Sequence, residues 1–324
     1  MINSSDTHKL LAVENLVIEF PIKRQSKIQA VSNISFNIGR GETLGLVGES
    51  GCGKSTLARA IVQLQKPTAG KIWFDGEDLT RCNGKRLRML RPNLQMIFQD
   101  AYASLNPGRR VGMTIAEPLK VIGGIDRNKR IRMARNLMRE VGLDPRRAFE
   151  QRPFEFSGGQ CQRISIARAL ITQPKFLICD EPVSSLDVSV QAQILNLLER
   201  MKERFGLTML FISHDLSVVK NISDSVAVMY LGKLCEIAAS ERLYRASKHP
   251  YTGALMASIP KPDIIRPFKG TNLNPVEIPS PANPPSGCRF RTRCDRAQSL
   301  CAQIEPILIE AEPGRLVACH YPLP

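Results

Sequence analysis

The glycine-rich loop at 48–56 restricts the fold of this chain more than any other feature. An apolar run at 43–47 precedes it and has the character of a buried strand, while the run at 55–62 places apolar residues at helical spacing. Glycines let backbone N–H groups approach phosphate oxygens, and the first turn of a helix adds the positive end of its dipole. This order of strand, loop and helix predicts a phosphate-binding loop rather than a plain turn. The loop consists of Gly48, Glu49, Ser50, Gly51, Cys52, Gly53, Lys54, Ser55 and Thr56.

Two side chains of the loop and two carboxylates farther along the chain suit a magnesium nucleotide. Lys54 is expected to neutralise the β- and γ-phosphates, and the Ser55 hydroxyl is expected to ligate Mg²⁺. A second buried run, at 176–179, leads into Asp180 and Glu181. Adjacent carboxylates after a strand are usually solvated or cap a helix. In a chain with a phosphate loop they predict a metal-side aspartate and a glutamate that acts as a base or orients water.

The segment FSGGQ, at 156–160, marks the start of a predicted helix. Ser157 is placed to cap that helix, and a helix start rich in serine and glycine also suits a γ-phosphate. The two roles are compatible. The residues concerned are Ser157, Gly158, Gly159 and Gln160.

Longer segments resemble the ATP-binding subunits of ABC transporters, in the branch that imports oligopeptides and dipeptides. The resemblance covers nearly the whole chain. Within that branch, the segment YASLNP resembles the corresponding segment of the "F"-type ATPase subunit. The segments are FQDAYASLNP at 98–107, EFSGGQCQRISIARAL at 155–170, CDEPVSSLDVSVQAQILNLL at 179–198 and SHDLSVVKNISDSVAVMYLGKLCEI at 213–237.

The resemblance implies an α/β architecture. We expect a P-loop NTPase domain of the ABC type over 1–239, in which a helical subdomain at about 101–172 carries the signature segment, FSGGQ at 156–160. The alternation of apolar strands and helical stretches from 43 to 237 agrees with a largely parallel sheet. A C-terminal extension of the oligopeptide-importer type is expected over 240–324.

The resemblance also implies roles for polar residues outside the loop. Gln99 is expected in the Q-loop, in contact with Mg²⁺ and the attacking water, and His214 is expected to contact the γ-phosphate. Ser184 to Asp187 match the D-loop, so Asp187 joins the nucleotide-contacting residues. Phe20 matches the position that stacks on adenine, although a phenylalanine at a strand end is as readily a core residue. Since Ser157 would lie far from the loop of its own chain, its role requires a second ATPase subunit.

The resemblance predicts an ATP hydrolase that uses ATP and Mg²⁺ to energise peptide import. The implied partners are a second ABC ATPase, in a heterodimer, two transmembrane permease subunits, and a periplasmic or extracellular solute-binding protein. The ATPase does not touch the cargo, so nickel, glutathione and antimicrobial peptides stay open as alternatives to peptides. The expected location is the cytoplasmic face of the bacterial inner membrane.

Composition is compatible with this interpretation. The chain has 324 residues with 43% hydrophobic content, and it has no apolar run of about 18 residues that would span a bilayer. Its polar beginning lacks the apolar core of a signal peptide. A net charge of +15 suits an anionic membrane surface or nucleic acid.

A soluble ABC ATPase acting on nucleic acid or ribosomes is the rival class. Such proteins usually carry two cassettes, a coiled coil or zinc modules, which this sequence lacks, so no nucleic-acid partner is expected.

The last part of the chain is rich first in proline and then in cysteine. Prolines concentrate at 260–286, as in a stiff linker, after the segment HPYTGALMASIP at 249–260. Stable disulfides are not expected in a cytosolic protein, and the spacing lacks the close pairs of a zinc ribbon. Four thiolates suit a [4Fe–4S] cluster, which some members of the family carry at matching cysteines. Unmetallated thiols, and zinc with His320 as a spare ligand, are the other interpretations. The cysteines, at 288–319, are Cys288, Cys294, Cys301 and Cys319.

Overall fold

The protein is described here by a computed structural model that covers residues 9–22, 27–259 and 279–324. The strands are β1 (Lys9–Pro21), β2 (Lys27–Gly39), β3 (Thr43–Val47), β4 (Ala69–Phe74), β5 (Glu77–Asp78), β6 (Leu94–Ile97), β7 (Phe176–Asp180), β8 (Thr208–Ile212), β9 (Ser225–Tyr230), β10 (Lys233–Ala239), β11 (Ile309–Glu312) and β12 (Arg315–Val317). The α-helices are α1 (Lys54–Ile61), α2 (Gly84–Leu90), α3 (Val111–Ile122), α4 (Arg127–Glu140), α5 (Pro145–Ala148), α6 (Gly158–Leu170), α7 (Val188–Phe205), α8 (Leu216–Ile222), α9 (Ser240–Arg245), α10 (Pro250–Ala257) and α11 (Ser299–Gln303).

The chain divides into two compact units. The first unit is formed mainly by Arg81–Ile212. The second is formed by Leu11–Ile38, Thr43–Thr80 and Ser213–Pro324. The glycine loop and the C-terminal extension therefore belong to one unit, and the two carboxylates after β7 belong to the other.

The first unit contains three parallel strands in the order β6-β7-β8. Every residue of β7 and of β8 is buried. Such continuous apolar runs are typical of parallel strands covered on both faces. Because the strands are parallel and in register, their carboxyl ends lie at one edge of this part of the sheet. The segments that follow β6 and β7 carry Gln99 and Glu181, so both residues emerge at that edge.

Helices α3 to α6 of the first unit all lie within 101–172. Helix α3 packs on α4 and on α6. Close approach is allowed at Gly112, where an added Cβ would lie 2.2 Å from the ring of Phe149. The guanidinium of Arg135 lies over the same Phe149 ring, 4.9 Å from its centre. That 101–172 forms a separate subdomain stays a prediction.

The second unit contains two sheets. Strand β3 pairs in parallel with β9, and β10, β12 and β11 continue from β9 as antiparallel neighbours. The other sheet has the order β2-β1-β4-β5, in which β4 pairs antiparallel with both β1 and β5. Helix α8 packs closely on β3 at Gly45. A Cβ added there would lie only 2.4 Å from a methyl carbon of Val219, so the close approach requires glycine. This packing fixes the strand from which the glycine loop emerges.

A buried carboxylate fastens the start of the C-terminal extension. Glu236, on β10, is fully buried and accepts the backbone N–H groups of Lys248 and His249 at 2.9–3.1 Å. Arg315, on β12, lies 4.0 Å away and donates to the carbonyls of Arg242 and Ala246. Of the proline-rich stretch predicted at 260–286, residues 260–278 lie outside the described residues. No helix among the described residues is long and apolar enough to cross a membrane.

Replacing Glu236 with alanine should destabilise the second unit strongly. The substitution leaves two backbone N–H groups without their acceptor and removes one of the two carboxylates beside the buried Arg315, and loss of a buried partner costs about 3–5 kcal/mol in comparable pairs. Urea unfolding measures the loss. Glu199→Ala, on the exposed face of α7, is the matched control and should change the unfolding free energy by no more than about 0.5 kcal/mol. Equal stability of the two variants would contradict the anchoring role of Glu236.

Candidate nucleotide-binding site

The glycine loop of the second unit follows β3 and ends at α1. Gly48 and Gly53 have φ angles of 155° and 108°, a region that side chains disfavour. An added Cβ at Gly48 would lie 2.1 Å from the carbonyl oxygen of Met229, and one at Gly53 would lie 2.1 Å from that of Ala30. Both conformation and space therefore require glycine at these two positions, as the loop pattern predicts.

The ammonium group of Lys54 lies inside the loop. Lys54 is buried, and its Nζ donates to the carbonyl oxygen of Gly48 at 2.8 Å and to that of Glu49 at 3.0 Å. Nζ also lies 3.8 Å from the thiol of Cys52, whose pKa is raised by burial. The positive charge is thus held within the loop by two of its own carbonyl groups, and its predicted contact with phosphates stays a prediction.

Glu49 makes contacts that the sequence analysis did not identify. Its backbone N–H donates to the hydroxyl of Tyr251, and its carboxylate pairs with Arg293. Both partners belong to the C-terminal extension. A residue of the predicted phosphate loop is therefore held by residues far along the chain. No local sequence pattern around those residues indicates this contact.

The first unit brings together Gln99, Asp180 and Glu181. Asp180 is the last residue of β7 and is buried. Glu181 follows with a left-handed φ of 46°, and its N–H donates to the carbonyl of Ile212 at 3.0 Å. The Nε2 of Gln99 donates to Oε2 of Glu181 at 2.9 Å. A non-glycine residue in this backbone region stores strain of about 1–3 kcal/mol, and such strain concentrates at functional positions.

The signature segment begins α6 with a reciprocal cap. The hydroxyl of Ser157 accepts the N–H of Gln160 at 3.4 Å, and the side-chain oxygen of Gln160 accepts the N–H of Ser157 at 3.0 Å. Ser157, Gly158 and Gln160 are exposed. The capping role of Ser157 is thus visible within one chain, and its predicted contact with a nucleotide stays a prediction.

The D-loop lies against the signature segment within the first unit. An added Cβ at Gly159 would lie 2.6 Å from Val190, and one at Gly158 would lie 3.5 Å from Leu186. The hydroxyl of Ser184 donates to the carbonyl of Glu181 at 3.1 Å. Asp187, the N-cap residue of α7, is exposed. One packed assembly therefore connects Glu181, the D-loop and the signature segment.

Phe20 and His214 belong to the second unit, as does the glycine loop. The Phe20 side chain is 37% exposed near the end of β1, so it is not a core residue, and the core alternative from the sequence is wrong. His214 is exposed and directly follows Ser213, whose N–H donates to the carbonyl of Leu46 at 3.3 Å. The stacking of Phe20 on adenine and the γ-phosphate contact of His214 stay predictions.

The C-terminal cysteines converge on one small cavity. Cys288, Cys294, Cys301 and Cys319 line one small cavity together with His249 and His320. Across the described residues, however, no group of three or more His, Cys, Asp or Glu side chains is arranged to hold a metal ion. Desolvation raises the pKa of Cys288 to about 11 and that of Cys319 to about 12. The described residues lend no support to the predicted iron–sulfur cluster or to zinc.

Comparison with known proteins decides the family. The model of the family described as "ABC transporter" matches residues 31–184, and the model described as "Oligopeptide/dipeptide transporter, C-terminal region" matches residues 235–301. The putative oligopeptide transport ATP-binding protein YkfD of Bacillus subtilis is 50% identical over 314 residues, which cover 96% of this chain and 95% of that protein. The chain belongs to the oligopeptide/dipeptide family of ABC transporter ATP-binding proteins.

Other relatives support the same family and fold for this ABC ATPase. The oligopeptide transport ATP-binding protein OppF of Haemophilus influenzae is 46% identical over 329 residues, which cover 98% of each chain. Among solved structures, the ATP-binding cassette MJ0796, a dimer bound to ADP and Pi, is 27% identical with a TM-score of 0.65 and covers 71% of this chain and 98% of that chain. CbiO1 of Clostridium perfringens, part of the ABC transporter complex cbiONQ, gives the same TM-score and identity and covers 74% of this chain and 91% of that chain. The α/β ABC ATPase fold expected from the sequence is confirmed.

Replacing Gly48 with alanine should impair ATP binding by this ABC ATPase. The added Cβ would meet the Met229 carbonyl at 2.1 Å, so the loop must move away from the position that surrounds Lys54. We expect the Kd for a fluorescent Mg-ATP analogue to rise at least about tenfold, since such backbone strain is of order 1–3 kcal/mol. Gly41→Ala is the control, because Gly41 also has a left-handed φ, of 74°, but has open space around it. If both variants bind equally well, the steric account of the loop is wrong.

Proposed function

We propose that this protein hydrolyses ATP to power the import of peptides through a membrane-embedded ABC transporter. One observation carries the proposal: the glycine loop around Lys54 and the paired Gln99 and Glu181 occur in a chain that is 50% identical, over nearly its whole length, to an oligopeptide transport ATP-binding protein. The family relationship supplies the transport role, and the geometry supplies groups suited to hydrolysis.

The glycine loop is proposed to bind the triphosphate. The β- and γ-phosphate oxygens would replace the carbonyls of Gly48 and Glu49 as the partners of the Lys54 ammonium, because an anion is the stronger acceptor. Backbone N–H groups from Ser50 to Thr56, at the start of α1, are the remaining donors. Phe20, with its exposed ring, is proposed to stack on adenine.

Ser55, Gln99 and Asp180 are proposed to hold Mg²⁺. Their hydroxyl, amide and carboxylate oxygens form the hard-oxygen donor set that Mg²⁺ prefers, so the residue types fit the ion. When bound, the ion neutralises charge on the β- and γ-phosphates. The burial of Asp180 at the end of β7 keeps its carboxylate in a fixed position for this task.

Glu181 is proposed to activate the attacking water. The Gln99 amide donates to one carboxylate oxygen of Glu181 and orients the carboxylate, which would accept a proton from water. The water oxygen would then bond to the γ-phosphorus while the bond to the bridging oxygen breaks, which releases ADP and phosphate. His214 is proposed to contact the γ-phosphate. The protein thus works by positioning and electrostatics rather than through a covalent intermediate.

A second ATPase subunit is proposed to complete the site. The signature residues Ser157, Gly158 and Gln160 are exposed at the start of α6, and the nearby Val188 is 81% exposed. The solved cassette of MJ0796 is a dimer. We therefore propose that Ser157, Gly158, Gly159, Gln160 and Asp187 act on the nucleotide bound by the partner, in a heterodimer of two related ATPases.

The remaining partners are proposed from the family. They are two transmembrane permease subunits and an extracytoplasmic solute-binding protein that selects the cargo. The ATPase would bind the permeases at the cytoplasmic face of the membrane, as a peripheral subunit. Closure of the ATPase dimer on ATP would supply the mechanical work, and hydrolysis would reopen it.

The variant Glu181→Gln should bind ATP without turning it over. Glutamine keeps the shape of the side chain but cannot accept a proton, so we expect hydrolysis to fall by about 100-fold or more, in line with the loss of a general base. Nucleotide binding should persist, and the assembled ATPase dimer should stay closed, as size-exclusion chromatography with Mg-ATP would show. Glu199→Gln, on the exposed face of α7, should hydrolyse ATP at the parental rate. Parental hydrolysis by Glu181→Gln would remove Glu181 from its proposed role.

The cargo is tested by uptake of labelled dipeptides and oligopeptides into cells. Strains with the parent gene, a deletion, and Glu181→Gln complementation are compared. We expect uptake to be lost in the deletion and to stay lost with Glu181→Gln. Normal peptide uptake in the deletion strain, with loss of nickel or glutathione uptake instead, would contradict the peptide assignment and identify the alternative cargo.

A further inference from the structure

The most distinctive contact of the glycine loop is made by Glu49. Although Glu49 lies within the phosphate-binding loop, its carboxylate points to the C-terminal extension and pairs with Arg293. Nη1 of Arg293 donates to Oε2 at 2.7 Å, and Nη2 donates to Oε1 at 2.9 Å. Two parallel bonds of this kind fix direction as well as distance, which a lysine could not do.

The Arg293–Glu49 pair is largely removed from water. The Arg293 side chain is 7% exposed and that of Glu49 is 21% exposed. The guanidinium lies 5.7 Å from the ring centre of Tyr230 and 5.9 Å from that of Phe290, within cation–π range of both. Hydrogen bonds to Glu49 raise the pKa of Arg293 above its ordinary value. Removal of one partner would leave the other as a poorly solvated charge.

The extension also holds the backbone of Glu49. The hydroxyl of Tyr251 accepts the Glu49 N–H at 3.0 Å, and the Tyr251 ring is fully buried. That ring packs against Tyr230 at 4.7 Å and against Phe290 at 5.3 Å between ring centres. Because Tyr230 and Phe290 also lie beside Arg293, one aromatic cluster, built from β9 and the extension, contacts the groups that hold both the backbone and the side chain of Glu49.

Lys54 binds the opposite side of the same residue. Its Nζ donates to the carbonyl oxygen of Glu49 at 3.0 Å. The N–H, the carbonyl and the carboxylate of Glu49 are therefore each engaged, by Tyr251, Lys54 and Arg293 respectively. A displacement of Glu49 would move its carbonyl oxygen, which accepts a hydrogen bond from the Lys54 ammonium group. That ammonium group is the one proposed to bind the phosphates.

We propose that Arg293 is a positioning residue for ATP binding, which acts by cancelling the negative charge of Glu49 within the phosphate loop. A triphosphate approaching this loop meets a carboxylate on the loop itself. With Arg293 in place that charge is neutralised at contact distance, and without it the carboxylate repels the phosphates. The proposal rests on the nucleotide-binding part of the proposed function and is independent of the transported cargo.

The test measures the Kd of purified full-length protein for a fluorescent Mg-ATP analogue, with the KM and kcat of ATP hydrolysis. Arg293→Gln should raise the Kd and KM about tenfold, as an uncompensated charge near the phosphates would, while kcat of the saturated enzyme changes less than threefold, or about 0.7 kcal/mol. Arg291→Gln is the matched control in the same segment. Arg291 donates only to Ser286 in the described contacts, at 2.9 and 3.4 Å, and its loss should leave Kd unchanged.

A second substitution separates charge from simple support. In the double variant Glu49→Gln/Arg293→Gln the repelling carboxylate is gone, so ATP affinity should recover to within about threefold of the parent. If Arg293 served only as a structural support, the ATP affinity of the double variant would not recover. Removal of both partners would leave the loop at least as poorly held as removal of Arg293 alone. Failure of the double variant to recover, or parental affinity of Arg293→Gln, would overturn the proposal.

Arg293→Lys covers the case in which Arg293→Gln does not fold. Lysine keeps the charge but not the two-pronged contact, so its Kd should lie between those of the parent and Arg293→Gln, and a Kd at least tenfold above the parent would contradict charge cancellation. Thermal unfolding midpoints are measured for every variant. Parent protein that fails to bind the nucleotide would instead overturn the proposed function, so the two failures are distinguishable.

Discussion

The structure of the glycine loop depends on the buried ammonium group of Lys54, whose hydrogen bonds the second unit has to satisfy. A buried charge is tolerated only when its hydrogen bonds are satisfied, and here the carbonyls of Gly48 and Glu49 satisfy them. Those carbonyls can point inward only because the loop adopts backbone angles that Gly48 and Gly53 allow. The position of the loop in turn depends on β3 before it and on α1 after it.

The two units carry different groups of the proposed hydrolytic chemistry. The second unit holds Lys54 and the glycine loop, which are proposed to bind phosphates. The first places Asp180 and Glu181 at the carboxyl end of β7, where a fully buried strand gives them a rigid base. The strained backbone of Glu181 and its hydrogen bond to Gln99 fix the direction of one carboxylate. Positioning of this kind is the main contribution that a protein makes to phosphoryl transfer.

Local patterns were enough to predict much of this arrangement. The glycine loop, the carboxylates after β7 and the cap at Ser157 each depend on residues close together in sequence, so spacing and residue type identify them. Phe20 shows the limit of such reasoning, because exposure at a strand end depends on what covers the strand. The cysteine spacing suggested a metal centre, but metal binding requires side-chain directions that spacing does not determine.

Arg293 could not have been predicted from the sequence, because it lies 244 positions from Glu49 and follows no motif of the loop. Nothing in its neighbourhood distinguishes it from Arg291, which remains within its own segment. The distinction arises only when the extension packs its aromatic side chains around Tyr230. The C-terminal extension therefore has a structural connection to the phosphate loop that the common ABC motifs do not reveal.

The central claim is that ATP hydrolysis at these residues is coupled to peptide import. The most direct test is ATP hydrolysis by the complete transporter in proteoliposomes, measured with the solute-binding protein empty and loaded with peptide. We expect the peptide-loaded protein to stimulate hydrolysis and peptide to accumulate in the compartment that contains ATP. Hydrolysis that is indifferent to peptide, with no peptide accumulation, would contradict the account.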